Sequence, residues 1–203
     1  MSKKNSSIGA MILSLGAVTI LAGALLAWVN EVTKAPIEEA KTRKQVEAIQ
    51  DVAPAFTNNP VADCDSITLD GEARPVVVYP AIQDGMLAGA AVETYTMDGF
   101  SGEITLMVGF NAAGDVTGYT VLTHAETPGL GAKMNEWFRD DEGHRSIIGS
   151  NPATRNMSVV KDPGGEVDGI TAATITSRAF LQAVRRAHAA FTQYCESQST
   201  SES

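Results

Sequence analysis

The sequence predicts an α+β chain: one apolar N-terminal helix, then a domain with a largely antiparallel sheet and a C-terminal helix. Three observations carry this. Residues 8–29 hold no charged side chain. Residues 103–124 alternate polar and apolar side chains about a short turn. From Thr176 onward, apolar residues recur at helical spacing.

The uncharged run is 22 residues long, and at about 1.5 Å per residue a helix of that length crosses a bilayer core. Lys3 and Lys4 precede it, and the acids begin at Glu31. Positive charge stays cytoplasmic, so residues 1–7 are expected inside and the rest outside. The competing reading is a cleaved signal peptide, with Ala22-Gly23-Ala24 as the cleavage site. The run continues past that site through Leu25, Leu26, Trp28 and Val29, which favours a retained span anchored by Trp28. Gly9, Gly16 and Gly23 recur every seven residues, either to admit a neighbouring helix or because small residues are common in spans.

Residues 30–53 read as a solvated helical linker. Its segment from Pro36 is rich in helix formers, with Pro36 suited to a first helical position and Pro54 beyond the end. The domain proper is expected over 54–196. Residues 54–66 read as a loop carrying Asn58-Asn59-Pro60, and short strands follow at 76–79 and 88–95. In the hairpin, Ile104, Leu106, Val108 and Phe110 alternate with Glu103, Thr105, Met107 and Gly109, and residues 111–115 turn into a strand over 116–124. Leu130, Met134, Trp137 and Phe138 have helical spacing, with both aromatics expected in the core. Phe180, Ala183, Val184, Ala187, Ala190, Phe191 and Tyr194 mark the buried face of the last helix. Residues 197–203 (SQSTSES) read as a disordered tail.

Composition narrows the chemistry. Apolar residues make up 44% and charged residues 19% of 203, and 15 Lys+Arg face 24 Asp+Glu for a net charge of -9. That acidic balance argues against nucleic-acid binding. Two cysteines and three histidines are little material for an iron–sulfur or zinc centre, so no metal site is expected. Cys64 and Cys195 either form a disulfide or stay separate thiols.

Two segments hold the chemical signal. Asp168-Gly169-Ile170-Thr171-Ala172-Ala173-Thr174-Ile175-Thr176-Ser177 crowds four hydroxyls at a helix start. They read either as an N-cap, which the bare chemistry favours, or as an anion site exploiting free N–H donors. His124-Ala125-Glu126-Thr127-Pro128-Gly129-Leu130-Gly131 places Pro-Gly in the middle of a type II turn. His124 reads as an acid/base group or a strand-end residue, and Glu126 as its partner or a solvated charge.

Together with residues 100–110, these segments resemble the FMN-binding domain family, and within it the G subunits of Rnf-type ion-translocating ferredoxin:NAD oxidoreductases. The C subunits of sodium-pumping NADH:quinone reductases share the motifs and are the runner-up, and an FMN-binding membrane sensor is a third possibility. Only seven residues precede the span, which favours an electron carrier over a sensor. The resemblance implies FMN joined by a phosphoester to Thr174, the acceptor closing a motif that includes Asp168, Thr171 and Ala173. Thr176 and Ser177 belong to the same site. His124, Glu126, Thr127, Gly129, Leu130 and Gly131 are implied to lie along the flavin, with backbone N–H groups reaching its polar edge. Ala172 stands where the family usually has Gly. A separate flavin transferase using FAD and Mg²⁺ is implied, so Thr174 needs no activating base here and no independent turnover is expected. The implied partners are the other membrane subunits and lipid, and the implied location is the bacterial inner membrane with the main domain periplasmic.

Overall fold

The computed structural model describes residues 8–201, so the expected cytoplasmic segment 1–7 with Lys3 and Lys4 lies outside the described residues. The chain falls into two units that divide between Arg43 and Lys44. The described residues of the first are the exposed part of helix α1 (Ile8–Val52) up to Arg43, which begins with the uncharged run. It is long and apolar enough, by length and composition, to cross a membrane. Pro36 lies inside this helix, not at its first turn as the sequence suggests. It forfeits one backbone hydrogen bond, and the good helix formers on either side carry the helix past it.

The second unit is the α+β domain. Five antiparallel strands stand in the order β1 (Asp65–Ile67), β2 (Val76–Gln83), β3 (Met86–Gly99), β4 (Gly102–Asn111) and β5 (Val116–Thr123). The predicted hairpin is β4–β5, with Leu106 opposite Val121 and Val108 opposite Tyr119. The two strands before it run longer than the sequence suggests, and β1 occupies part of the expected loop. Pro80 obscures β2. It is tolerated because β1 covers only Val76–Val78, leaving Pro80 on an open edge where its missing N–H costs nothing. There Asn58 stands in for a strand: its amide donates to the Pro80 carbonyl at 3.0 Å and its oxygen accepts from the Ile82 N–H at 2.9 Å.

Helix α3 (Thr174–Ser201) lies on one face of the sheet. Ile104, Leu106, Val108 and Phe110 meet Phe180, Ala183, Val184, Ala187 and Phe191 in the main core. The last helix begins at Thr174, two residues earlier than its pattern suggests. It also extends to Ser201, through most of the expected tail. The Ser197 and Ser199 hydroxyls donate to the carbonyls of Tyr194 and Cys195, local bonds that carry polar residues through further turns. A 3₁₀ turn (Gly131–Lys133) and the short helix α2 (Met134–Trp137) replace the helix expected from Leu130. Met134 and Phe138 are buried in the core, while Trp137 is half-buried. Cys64 and Cys195 are both free thiols.

The opposite face of the sheet is not left to solvent. Ala48, Ile49 and Val52, from the end of α1, pack on Tyr79, Ala91 and Met107. This is why Met107 is fully buried although it sits on the nominally polar register of β4. Gln45 adds a polar clasp, donating to the Tyr79 hydroxyl at 2.6 Å and to Glu93 at 2.7 Å. Burial pushes the Tyr79 phenol well above its ordinary range, and the neighbouring Glu93 carboxylate adds to this. Gly109 and Gly118 are cross-strand partners and form the seat for the helix end. A Cβ on Gly109 would overlap the Val52 carbonyl. That carbonyl, orphaned at the helix C-terminus, instead accepts from the Thr117 hydroxyl at 2.5 Å.

Gly109→Ala therefore forces the helix end off its seat. The expected cost is about 2 kcal/mol, as for other overpacked sites, and the melting temperature should fall by about 4–8 °C for a domain of this size. A thermal melt that matches wild type would show that the seat does not bear on stability.

Candidate functional site

A cavity of about 320 Å³ opens where the β3–β4 turn, the loop after β5 and the first turn of α3 converge. Thr174, the first residue of α3, is half-buried in its wall. Among the described residues its hydroxyl makes no protein hydrogen bond. The residue before the helix is Ala173, which has no side-chain oxygen to cap it. The leading N–H groups of α3 have no i−4 carbonyl within the helix, and the residues that carry them, Thr174, Ile175 and Thr176, line the cavity at the positive end of the helix dipole.

The crowd of hydroxyls does not cap the helix as an N-cap reading requires. The Ser177 hydroxyl turns back, accepting from the Ile170 N–H and donating to the Ala173 carbonyl, both at 2.9 Å. The Thr176 hydroxyl, fully buried, donates to Glu126 Oε2 at 2.6 Å. Only Thr174 and the exposed Thr171 keep free hydroxyls among the described residues of this segment.

Glu126 holds the loop against this helix. It is 5% exposed, and its other oxygen accepts from the Ser101 N–H at 2.9 Å. One carboxylate thus joins the β3–β4 turn, the loop and α3. Gly131 is required by that closeness, since a Cβ there would overlap Glu126 Oε2 and lie 2.7 Å from the Thr176 hydroxyl. The expected type II turn is present: Gly129 has φ +77° and the Leu130 N–H donates to the Thr127 carbonyl at 3.2 Å. The Ala132 N–H also donates to Thr127, so the Leu130 and Ala132 amides are spent inside the loop.

The far end of the acceptor segment is pinned separately. Trp137 Nε1 donates to the Asp168 carbonyl at 2.8 Å, and the His144 N–H donates to the Asp168 carboxylate at 2.9 Å. Asp168 is thereby a fastening for the segment, not a lining residue. Between the fastenings the backbone turns through Ala172 at φ +62°, a conformation that favours Gly. Arg178, one turn into α3, is committed to Asp162, with Nε–Oδ2 at 2.9 Å. Its guanidinium holds that carboxyl below the usual range.

Of the residues singled out from the sequence, Glu126, Thr127, Leu130, Gly131, Ala173, Thr174 and Thr176 line the cavity. His124, Gly129, Asp168, Thr171 and Ser177 do not. His124 lines a different cavity with Arg139, and its Nδ1 accepts from the Glu126 N–H at 3.1 Å. It holds the turn and is not paired with the Glu126 carboxylate. Phe100 and Ile175 complete the rim, and no sequence pattern marks them as lining residues. With Leu130 they stand 66%, 50% and 42% exposed, an unusual outlay of large apolar side chains around one opening. The arrangement suits an amphipathic ligand, with a flat apolar part against the rim and an anion toward the helix start.

The model of the FMN-binding domain family matches residues 99–189, which include the hairpin, the loop and the acceptor segment. Similar proteins include the G subunit of an ion-translocating oxidoreductase complex from Shewanella piezotolerans, 33% identical over 192 residues, covering 90% of this chain and 88% of that protein. A protein of the same name from Escherichia coli K12 is 38% identical over 173 residues, covering 80% and 81%. One from Vibrio cholerae is 34% identical over 171 residues, covering 80% of each.

The left-handed backbone at Ala172 gives a measurable strain. Relief of about 1–2 kcal/mol, less about 0.4–1 kcal/mol of added chain entropy, makes Ala172→Gly stabilising by a fraction of a kcal/mol to about 1 kcal/mol. Denaturant titration should show a higher midpoint at unchanged slope. A destabilised variant would mean that Ala172 makes contacts worth more than its strain.

Proposed function

We propose that this chain, which belongs to the family of ion-translocating oxidoreductase complex G subunits, is a membrane-anchored electron carrier whose FMN is esterified to Thr174. The observation that carries this is the unpartnered Thr174 hydroxyl at an uncapped helix start, inside a cavity with an apolar rim. The residues present fit the cofactor. Phosphate matches the free N–H donors and dipole end of α3, and an isoalloxazine matches the exposed Phe100, Leu130 and Ile175 side chains. When bound, FMN supplies one- and two-electron redox chemistry.

The chain's own residues do the holding. Thr174 provides the ester oxygen, and the covalent bond removes dissociation as a route of cofactor loss. Glu126, through Thr176 and Ser101, keeps the loop wall at a fixed distance from the acceptor. Trp137 and Asp168 hold the other end of the acceptor segment. The helix dipole, not a Lys or Arg in the cavity, faces the phosphate charge. No base beside Thr174 is required, because a separate flavin transferase using FAD supplies the activated nucleotide.

The uncharged stretch of α1 is the anchor in this reading, with its N-terminus cytoplasmic and the domain outside, in a bacterial inner membrane. The other membrane subunits of an Rnf-type complex are its electron donors and acceptors.

Thr174→Ala should abolish the flavin fluorescence of the protein band on a denaturing gel after co-expression with the transferase, while leaving the melting temperature of the apoprotein within about 1 °C of wild type. Residual fluorescence of equal intensity would move the attachment elsewhere.

A further inference from the structure

Among the described residues that line the cavity beside Thr174, Glu126 is the only ionisable one. It is 5% exposed. Each of its oxygens has a hydrogen-bond partner, the Ser101 N–H and the Thr176 hydroxyl. No Lys, Arg or His of the lining stands opposite it, and Arg178 is turned to Asp162. A buried carboxyl group with one N–H and one hydroxyl as its partners therefore stands in the wall of the cavity. At such low exposure a charge acts over several ångströms with little screening.

We propose that Glu126 carries its negative charge in this wall and sets the reduction potential of the flavin, holding it low by opposing the charge that reduction brings in. This rests on the reading that FMN is carried on Thr174. Reduction by two electrons from a partner's redox centre, with one proton from water, leaves the ring one unit more negative. The carboxylate raises the free energy of that state and leaves the neutral oxidised ring nearly unaffected. The same group also fastens the loop, so the two roles must be separated. Glu126→Gln separates them, because the amide oxygen can still accept from Ser101 and the amide nitrogen can meet the Thr176 oxygen, while the charge is gone.

The test is a dithionite titration of the full-length protein, matured with its transferase and held in detergent, followed by flavin absorbance. Glu126→Gln should raise the midpoint, shifting the reduced-to-oxidised ratio at a given potential about tenfold, or about 30 mV for a two-electron couple. Thr176→Val removes the donor that offsets the carboxylate and should move the midpoint the opposite way. If Glu126→Gln carries flavin and its midpoint stays within twofold of wild type, or falls, the assignment is overturned. If that variant carries no flavin, Thr176→Val decides alone: a lower midpoint supports the assignment and an unmoved one overturns it. A wild-type protein with no covalent flavin is a different result, which overturns the premise and the assignment with it.

Discussion

The site depends on one buried carboxylate. Glu126 accepts from Thr176 at 2.6 Å and from the Ser101 N–H at 2.9 Å, and these two bonds join segments 25 and 50 residues away from it in the sequence. A polar group buried this deeply costs roughly 1–3 kcal/mol if left unpaired, so the three segments are stable together and not apart. The closeness excludes any side chain at position 131. The wall, the floor and the acceptor of the cavity thus share a single point of attachment.

A second fastening makes the acceptor segment rigid at its other end. Trp137 is the last residue of α2, the short helix that follows the loop Glu126 anchors, and its indole N–H meets the Asp168 carbonyl. Loop and acceptor segment are therefore joined twice, on either side of the cavity. Between the two joints lie the left-handed Ala172 and the uncapped first turn of α3. Strain and unsatisfied donors gather where the protein leaves room for another molecule, as functional sites commonly require. The sheet behind them is packed on both faces, by α3 and by the end of α1, so the site stands on a firm base.

Sequence periodicity revealed the parts of the fold whose two faces differ. The β4–β5 hairpin and the buried stripe of α3 follow their patterns closely. The full length of β2 did not show, because Pro80 reads as a break and only the Asn58 side chain across the open edge explains its tolerance. Met107 looked solvent-facing because the helix covering it has a thin apolar stripe, supplied by three small or medium residues. At the site, resemblance to a known family singles out Thr174 and the loop as candidates. It could not show that Asp168 and Ser177 fasten backbone, nor that His124 faces a different cavity. Phe100 and Ile175 lie within the resembling segments but carry no mark of a lining role, because isolated exposed apolar residues follow no period and only the fold brings them to one rim.

The central claim is an ester at one hydroxyl. It is tested most directly by the mass of the tryptic peptide 162–178 from protein matured with its own transferase. That peptide should be heavier by one FMN less one water, with fragmentation placing the addition on Thr174. An unmodified peptide from such protein, or an addition on Thr171 or Thr176, would contradict the account.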